Sequence, residues 1–349
     1  MRIPKLFNNR FLQKTILVNV VLVPLVIAFF SGWFGHKYWH THYDRDNTRQ
    51  VRSGGFFFIN PLLECELAKD TIEEEEKLPS KDKIIELIKN KTKDYKLAHV
   101  SVYFRDLNNG PWLGINEDEK FAPASLLKVP LMISWLKEAE KNQQLLSTKI
   151  EYTKSGDDYN DMLTIIPSRT ITLGNKYSVD ELIRSMIVYS DNNANTLLFK
   201  NTDQRLLKDA YRILGVDIPS ADRPADYLSV KSYASFFRIL FNASYLNREM
   251  SEKALKILSE TEFSDGIVAG VPPGIVVAHK FGERVAGANN EIKQLHDCGI
   301  VYYPNEPYLL CVMTRGDDFR FLDDIIRDVS QLVFKEMDAH QKGLSIGHK

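Results

Sequence analysis

Cysteine is scarce in this chain: Cys65, Cys298 and Cys311 are the only three in 349 residues. They are too few and too dispersed for metal-ligand spacing or a dense disulfide framework. Cys298 and Cys311 fall on neighbouring predicted strands, but the register read from the sequence does not set them opposite each other, so no disulfide is expected. An excess of one charge is also lacking. Lys and Arg number 45 against 46 Asp and Glu, and without a basic patch no nucleic-acid partner is expected. His279 and His296 are isolated and read as structural, so neither a metal nor any other cofactor is expected. A hydrophobic fraction of 44% and a charged fraction of 26% argue against disorder. The length suits one large domain or two small ones with a sizeable core.

One long uncharged run is present, Thr15 to Phe34. As a helix it spans a bilayer core, and Trp33, Tyr38 and Trp39 suit the interface. Residues 1–14 carry Arg2, Lys5, Arg10 and Lys14 and no acid, which favours a cytoplasmic tail. No small-residue cleavage site follows the run, so an uncleaved anchor over 15–35 is favoured over a signal peptide. The remainder is then extracytoplasmic, on a single-pass protein of the cell membrane. Residues 36–79 read as a tether that includes Glu73 to Glu76. Within it, Phe56 to Leu63 is an apolar patch with two open occupants, the domain itself or a partner. A domain over 80–340 follows, and 341–349 is a polar tail.

Ser80 caps a predicted helix to Lys93. Leu97 to Phe104 and Trp112 to Ile115 form a hairpin around Asn108-Asn109-Gly110. Ser178 to Glu181 is a capping box that opens a helix through Tyr189, and helical patterns fill the middle third. Strands return at 274–280, 298–303 and 308–314, and an amphipathic helix over 319–337 closes the chain. The predicted class is α/β, more narrowly α+β. One antiparallel sheet is built from both ends of the domain, flanked by terminal helices, with an inserted helical subdomain.

Ser125-Leu126-Leu127-Lys128 opens the apolar run Val129 to Leu136. A serine and a lysine three apart at a helix start share one face. A serine hydroxyl needs a base to become a nucleophile, and a lysine serves once burial or a second cation lowers its pKa. The spacing alone is weak, because Ser80-x-x-Lys83 and Ser134-x-x-Lys137 share it. The first reads as a cap and the second as packing.

Two further motifs follow in order, Ser190-Asp191-Asn192 and Lys280-Phe281-Gly282. Together, over roughly residues 80–340, they resemble the serine penicillin-recognising enzymes, most closely the class A β-lactamases. Lys154-Ser155-Gly156 matches the third motif by letters but precedes the second, and reads as a loop. The resemblance implies that Ser125 is acylated, with Lys128 as base and Ser190 as proton relay. It implies that Asn192 holds the substrate amide and orients Lys128, and that Lys280 and Gly282 serve substrate binding. The N–H groups of Ser125 and Glu283 would form the oxyanion hole. The implied partner is a small-molecule β-lactam or a peptidoglycan peptide, with the membrane bound through the N-terminal helix.

Two departures from that family stand out. Phe281 fills a position where the family carries a hydroxyl for the substrate carboxylate. The Glu-x-x-Leu-Asn loop that activates water in class A enzymes is missing; no glutamate occurs between Glu181 and Glu249. Asp217, Asp222 and Asp226 are the local carboxylates, and none sits in the family pattern. The first reading is therefore a membrane-anchored serine acyl hydrolase acting on β-lactams or related amides. A D,D-peptidase or transpeptidase is the alternative, favoured by the missing glutamate. A non-catalytic wall-binding module on the same fold is the third.

Overall fold

The computed structural model describes residues 55–60, 78–93, 98–108, 110–153, 159–160, 163–213 and 224–342. The chain divides into two units, Met1–Val51 and Arg52–Lys349. The first unit, and with it the expected membrane span, lies outside the described residues, as does Lys154 to Gly156. Among the described residues no helix is long and apolar enough to cross a membrane.

The second unit runs α1 (Lys81–Thr92), β1 (His99–Asp106), β2 (Trp112–Ile115), β3 (Lys120–Phe121), then a 3₁₀ turn at Ala124–Leu127 that leads into α2 (Lys128–Ala139). Next come β4 (Lys149–Glu151), β5 (Lys176–Ser178), α3 (Val179–Val188), α4 (Asn192–Lys200) and α5 (Gln204–Ile213). After β6 (Leu228–Ser229) follow α6 (Val230–Phe241), α7 (Arg248–Leu258) and α8 (Gly266–Ala269). The last elements are β7 (Val277–Ala286), β8 (Ile292–Val301), β9 (Tyr308–Gly316) and α9 (Phe319–Gln341). Caps read from the sequence are in place. The Ser80 side chain accepts from Lys83 N, and Ser178 and Glu181 cap each other reciprocally.

Strand order in the five-stranded antiparallel sheet is β2-β1-β9-β8-β7. Strands from both ends of the domain therefore meet at the β1–β9 pair, as the fold class requires. Both faces are covered, so β9 reads as an unbroken apolar run, Tyr308-Leu309-Leu310-Cys311-Val312-Met313, instead of alternating. Leu309, Cys311 and Met313 join the core under the helical middle; Tyr308, Leu310 and Val312 join the core under α1 and α9.

The β8–β9 register corrects one expectation. Val301 pairs with Tyr308, so residues 302–307 all lie outside the ladder, and Cys298 stands opposite Cys311. The two are joined in a disulfide. A shorter connection, with 303 facing 308, shifts the register by two residues and hides the pair. Tertiary bonds take Tyr302 and Tyr303 out of the ladder: Tyr302 N donates to Val276 O, and the Tyr303 hydroxyl donates to Asp338.

Residues 55–60 pack on this unit. Consecutive N–H groups of Phe57, Phe58 and Ile59 donate to the Glu252 carboxylate at 2.5–3.0 Å. Phe58 stacks edge-on against Tyr302, and Ile59 is buried. The domain is thus one occupant of the apolar patch.

Candidate active site

The nucleophile turn is built from beneath. Ala122 is held on both polar atoms: its N–H donates to Gln294 Oε1 at 3.0 Å, and its carbonyl lies 3.0 Å from His296 Nε2. Thr314 N donates to His296 Nδ1 at 3.2 Å. Burial lowers the His296 pKa to about 4, so the ring is neutral and braces the turn, a structural role as expected. The buried Tyr233 hydroxyl donates to Leu126 O at 3.0 Å. Between these anchors Ala124 adopts φ +47°, a left-handed conformation that costs a residue with a Cβ of order 1 kcal/mol or more. Such strain is held by the surrounding packing, and here it presents Ser125 at the start of the 3₁₀ turn. Three residues complete a 3₁₀ turn, so Ser125 and Lys128 are aligned on one side. The Ser125 side chain is half-buried and makes no hydrogen bond among the described residues.

Lys128 is buried. Its Nζ donates to Ser190 O at 2.5 Å and to Ser190 Oγ at 3.0 Å. Burial lowers its pKa from 10.5 to about 7, against the opposing attraction of Asp191 and Glu283. A neutral lysine amine has two N–H groups and one lone pair. Both N–H groups are accounted for here, which leaves the lone pair to accept a proton.

The second motif is fixed by Asp191, a residue to which the sequence reading assigned no role. Its carboxylate accepts from Asn160 Nδ2, Thr170 Oγ1, Asn193 N, Ile171 N and Ser185 Oγ, all at 2.9–3.0 Å. This hub holds Ser190 at φ +58°, with Oγ between the two lysines. Asn192 departs from expectation. Its Nδ2 donates to Tyr159 O at 2.9 Å, and Ser190, not Asn192, holds Lys128.

Lys280 approaches from edge strand β7. It is completely buried, with Nζ 3.0 Å from Ser190 Oγ and 2.8 Å from Phe281 O. Burial, and then the charge of Lys128, push its pKa well below the ordinary lysine value; Asp297 and Glu283 act the other way. Gly282 lets β7 reach the nucleophile turn: a Cβ there would stand 3.1 Å from both Leu126 N and Pro123 O. Phe281 is buried and stacks on Phe263 at 4.3 Å, with Lys280 Nζ 4.0 Å from its ring centroid. The Glu283 side chain is also buried. Its Oε1 accepts from Thr164 N at 2.9 Å and Ile165 N at 2.7 Å, and burial raises its pKa.

The structure thus brings Lys128, Ser190 and Lys280 into one hydrogen-bonded chain, with Gly282 against the turn that carries Ser125. Ser80 and Ser134, the decoy serines, serve as a cap and as a buried packing residue bonded to Leu131 O. His279 is buried, with its Nδ1 2.8 Å from Asp297 Oδ1. Asp226 bonds Gln294 and Arg315; Asp217 and Asp222 lie outside the described residues. No group of acidic, cysteine or histidine side chains among the described residues could hold a metal.

Relatives share this arrangement of elements. A β-lactamase from Bacillus licheniformis is 24% identical over 262 residues, covering 70% of this chain and 81% of the relative. A class A β-lactamase structure from Bacteroides cellulosilyticus DSM 14838 superposes with a TM-score of 0.64 at 20% identity, over 74% of this chain and 98% of its own. A structure of a PBP-A variant, an acyl-enzyme complex with penicillin G, gives 0.60 at 21% identity over 75% and 97%. The model of the β-lactamase enzyme family matches residues 80–337, most of the chain, and so the chain belongs to that family of serine hydrolases.

Proposed function

We propose that this chain is a membrane-anchored serine acyl hydrolase that works through an acyl-enzyme at Ser125, on β-lactams or related amides. The observation that carries this reading is the Lys128–Ser190–Lys280 chain, with Ser190 Oγ 3.0 Å from each lysine Nζ. Neutral Lys128 takes the Ser125 hydroxyl proton as Oγ bonds to the substrate carbonyl carbon. The N–H groups of Ser125 and Glu283 hold the oxyanion. Ser190 Oγ accepts from both lysines, so its own proton is free to pass to the leaving nitrogen as the C–N bond breaks, and Lys128 replaces it. Water then cleaves the Ser125 ester. The Cys298–Cys311 disulfide supports an extracytoplasmic site, because such bonds persist in oxidising compartments.

A second reading, a D,D-peptidase acting on peptidoglycan peptides, is favoured by the missing Glu-x-x-Leu-Asn loop, since acylation does not need that glutamate but fast hydrolysis does. Intact mass over time, with penicillin G and with Ser125→Ala alongside, separates the readings. A transient adduct with consumed drug marks the hydrolase, and a persistent one marks the peptidase. An adduct that survives in Ser125→Ala removes Ser125 as the nucleophile.

A further inference from the structure

The family resemblance leads one to expect an anion-accepting end around Lys280. The structure closes that end in three ways. First, the Lys280 Nζ is already engaged. It donates to Ser190 Oγ and Phe281 O, and the Phe281 ring centroid lies 4.0 Å away. Second, the hydroxyl that would meet a carboxylate is replaced by that ring, which Phe263 holds in place from its other face.

Third, a carboxylate is already there. Glu283 stands two residues after Phe281 on β7, so the two share a face of the strand, and its charge acts to raise the pKa of both lysines. Its exposure is 8%, and Oε2 is buried with no hydrogen-bond partner among the described residues. Ionised, it would set like charge against a substrate carboxylate where water screens poorly. An N–H donor would instead satisfy an oxygen that is costly to leave unpaired.

We infer that this site selects acyl donors whose leaving side carries a protonated amine, or next best an uncharged amide, in place of a carboxylate, with Glu283 Oε2 as its acceptor. The inference rests on the reading of Ser125 as the acylated residue. Penicillins, which carry a carboxylate, then acylate slowly.

The test uses esters of phenylacetylglycine with three matched phenols: 3-(aminomethyl)phenol, 3-hydroxybenzamide and 3-hydroxybenzoic acid. In each, the Ser125–acyl bond forms as the ester C–O bond breaks and the phenol leaves with a proton. Phenol release and intact mass at neutral pH give kcat/KM and the adduct. The amine ester should exceed the acid ester by about tenfold or more, with the amide between. Glu283→Gln, which keeps an oxygen for Thr164 and Ile165, should bring that ratio to within about threefold. Phe281→Thr, which leaves Glu283 untouched, should raise the acid ester alone. A wild type that prefers the acid ester overturns the inference, and so does a ratio that Glu283→Gln leaves unchanged. Calorimetry of the matching amides on Ser125→Ala reads selection without chemistry. The expected affinity order there, with no adduct on the wild type, keeps the charge selection and removes the acyl-transfer reading. Adducts with the acid ester fastest do the reverse, and no binding by any amide overturns the selection.

Discussion

Ser125, Lys128 and Ser190 stand on turns that the interior of the domain holds from below, whereas Lys280, Phe281 and Glu283 stand on an edge strand and reach out to Ser190, Phe263 and the Thr164–Ile165 backbone. Tyr233 and His296 reach the Ser125 turn from buried positions, and buried Asp191, next to Ser190, is itself anchored by Ile171 N. In the second group, Lys280 leans on Phe281, which stacks on Phe263, and Glu283 ties down the backbone at Thr164 and Ile165. The first group carries the residue types the family pattern requires. The second keeps the lysine and the glycine and changes what surrounds them. The two groups meet at one contact, Lys280 Nζ on Ser190 Oγ, and differ in what else holds them.

The sharpest way to break the comparison is at the base. Lys128→Ala should lower acylation by about 10²–10⁴-fold, the usual contribution of a positioned base, while leaving the affinity of Ser125→Ala-type complexes for bound amides nearly unchanged. The wild-type rate should also depend on pH with a definite sign. Lys128 works only when neutral, and its pKa is about 7, so the acylation rate should rise with pH and be half-maximal near 7. Stability follows the same group. The unfolded lysine holds its proton to 10.5 and the folded one loses it near 7. The unfolded state therefore binds more protons between those values, and this group makes stability rise with pH across that window. A rate that is flat from acid to neutral pH would remove Lys128 as the base.

Asp191 tests whether the deep side positions as well as packs. Asp191→Asn keeps the shape but offers one acceptor oxygen to donors that now use two. A loss of about 2–4 kcal/mol in unfolding free energy is expected, as for a buried hydrogen-bonded charge. Loss of stability alone does not separate positioning from packing; the pH profile does. Asp191 raises the Lys128 pKa, so its removal should move the midpoint of acylation below 7. An unmoved midpoint would leave Asp191 as packing only.

The contrast also governs what the sequence made legible. The caps at Ser80 and Ser178, the bounds of β2 and the order of the three motifs were readable, because each rests on a local rule. Sheet order followed from placing strands at both ends of the domain. The extent of β7 was not readable. Predicted to end at Lys280, it runs on to Ala286, because Glu283 and Arg284 interrupt the apolar pattern in a stretch whose polar groups are satisfied by distant parts of the chain. Phe281 was visible as a departure, but its direction depends on Phe263, eighteen residues earlier and unremarkable by itself. Asp191 was visible as a letter in a motif, while its five donors come from four separate segments. The Cys298–Cys311 pair was lost for a similar reason: the register depends on what Tyr302 and Tyr303 bond outside the sheet.

That disulfide gives the smallest expected effect and the finest test of the comparison. Cys298 is the register partner of Lys280 on β7 as well as of Cys311 on β9, so it lies directly beside β7. It belongs by packing to the deep side, since both sulfur-bearing residues are buried in the core under the helical middle. The bond closes a separation of only 13 residues, which the β8–β9 hairpin already closes in the folded state. Replacing both cysteines with alanine should cost about 1–2 kcal/mol, toward the low end for a native disulfide. The rate of Ser125 acylation should stay within about threefold, because the Lys280 side chain bonds to Ser190 and Phe281 and to neither cysteine side chain. Reductant added to the folded wild type should leave the rate and the thiol count unchanged, since neither sulfur is open to an attacking thiolate. A rate that falls with the double substitution while the melting temperature holds would instead place the disulfide among the contacts that set Lys280, and the division between the two sides would then run through β8 instead of alongside β7.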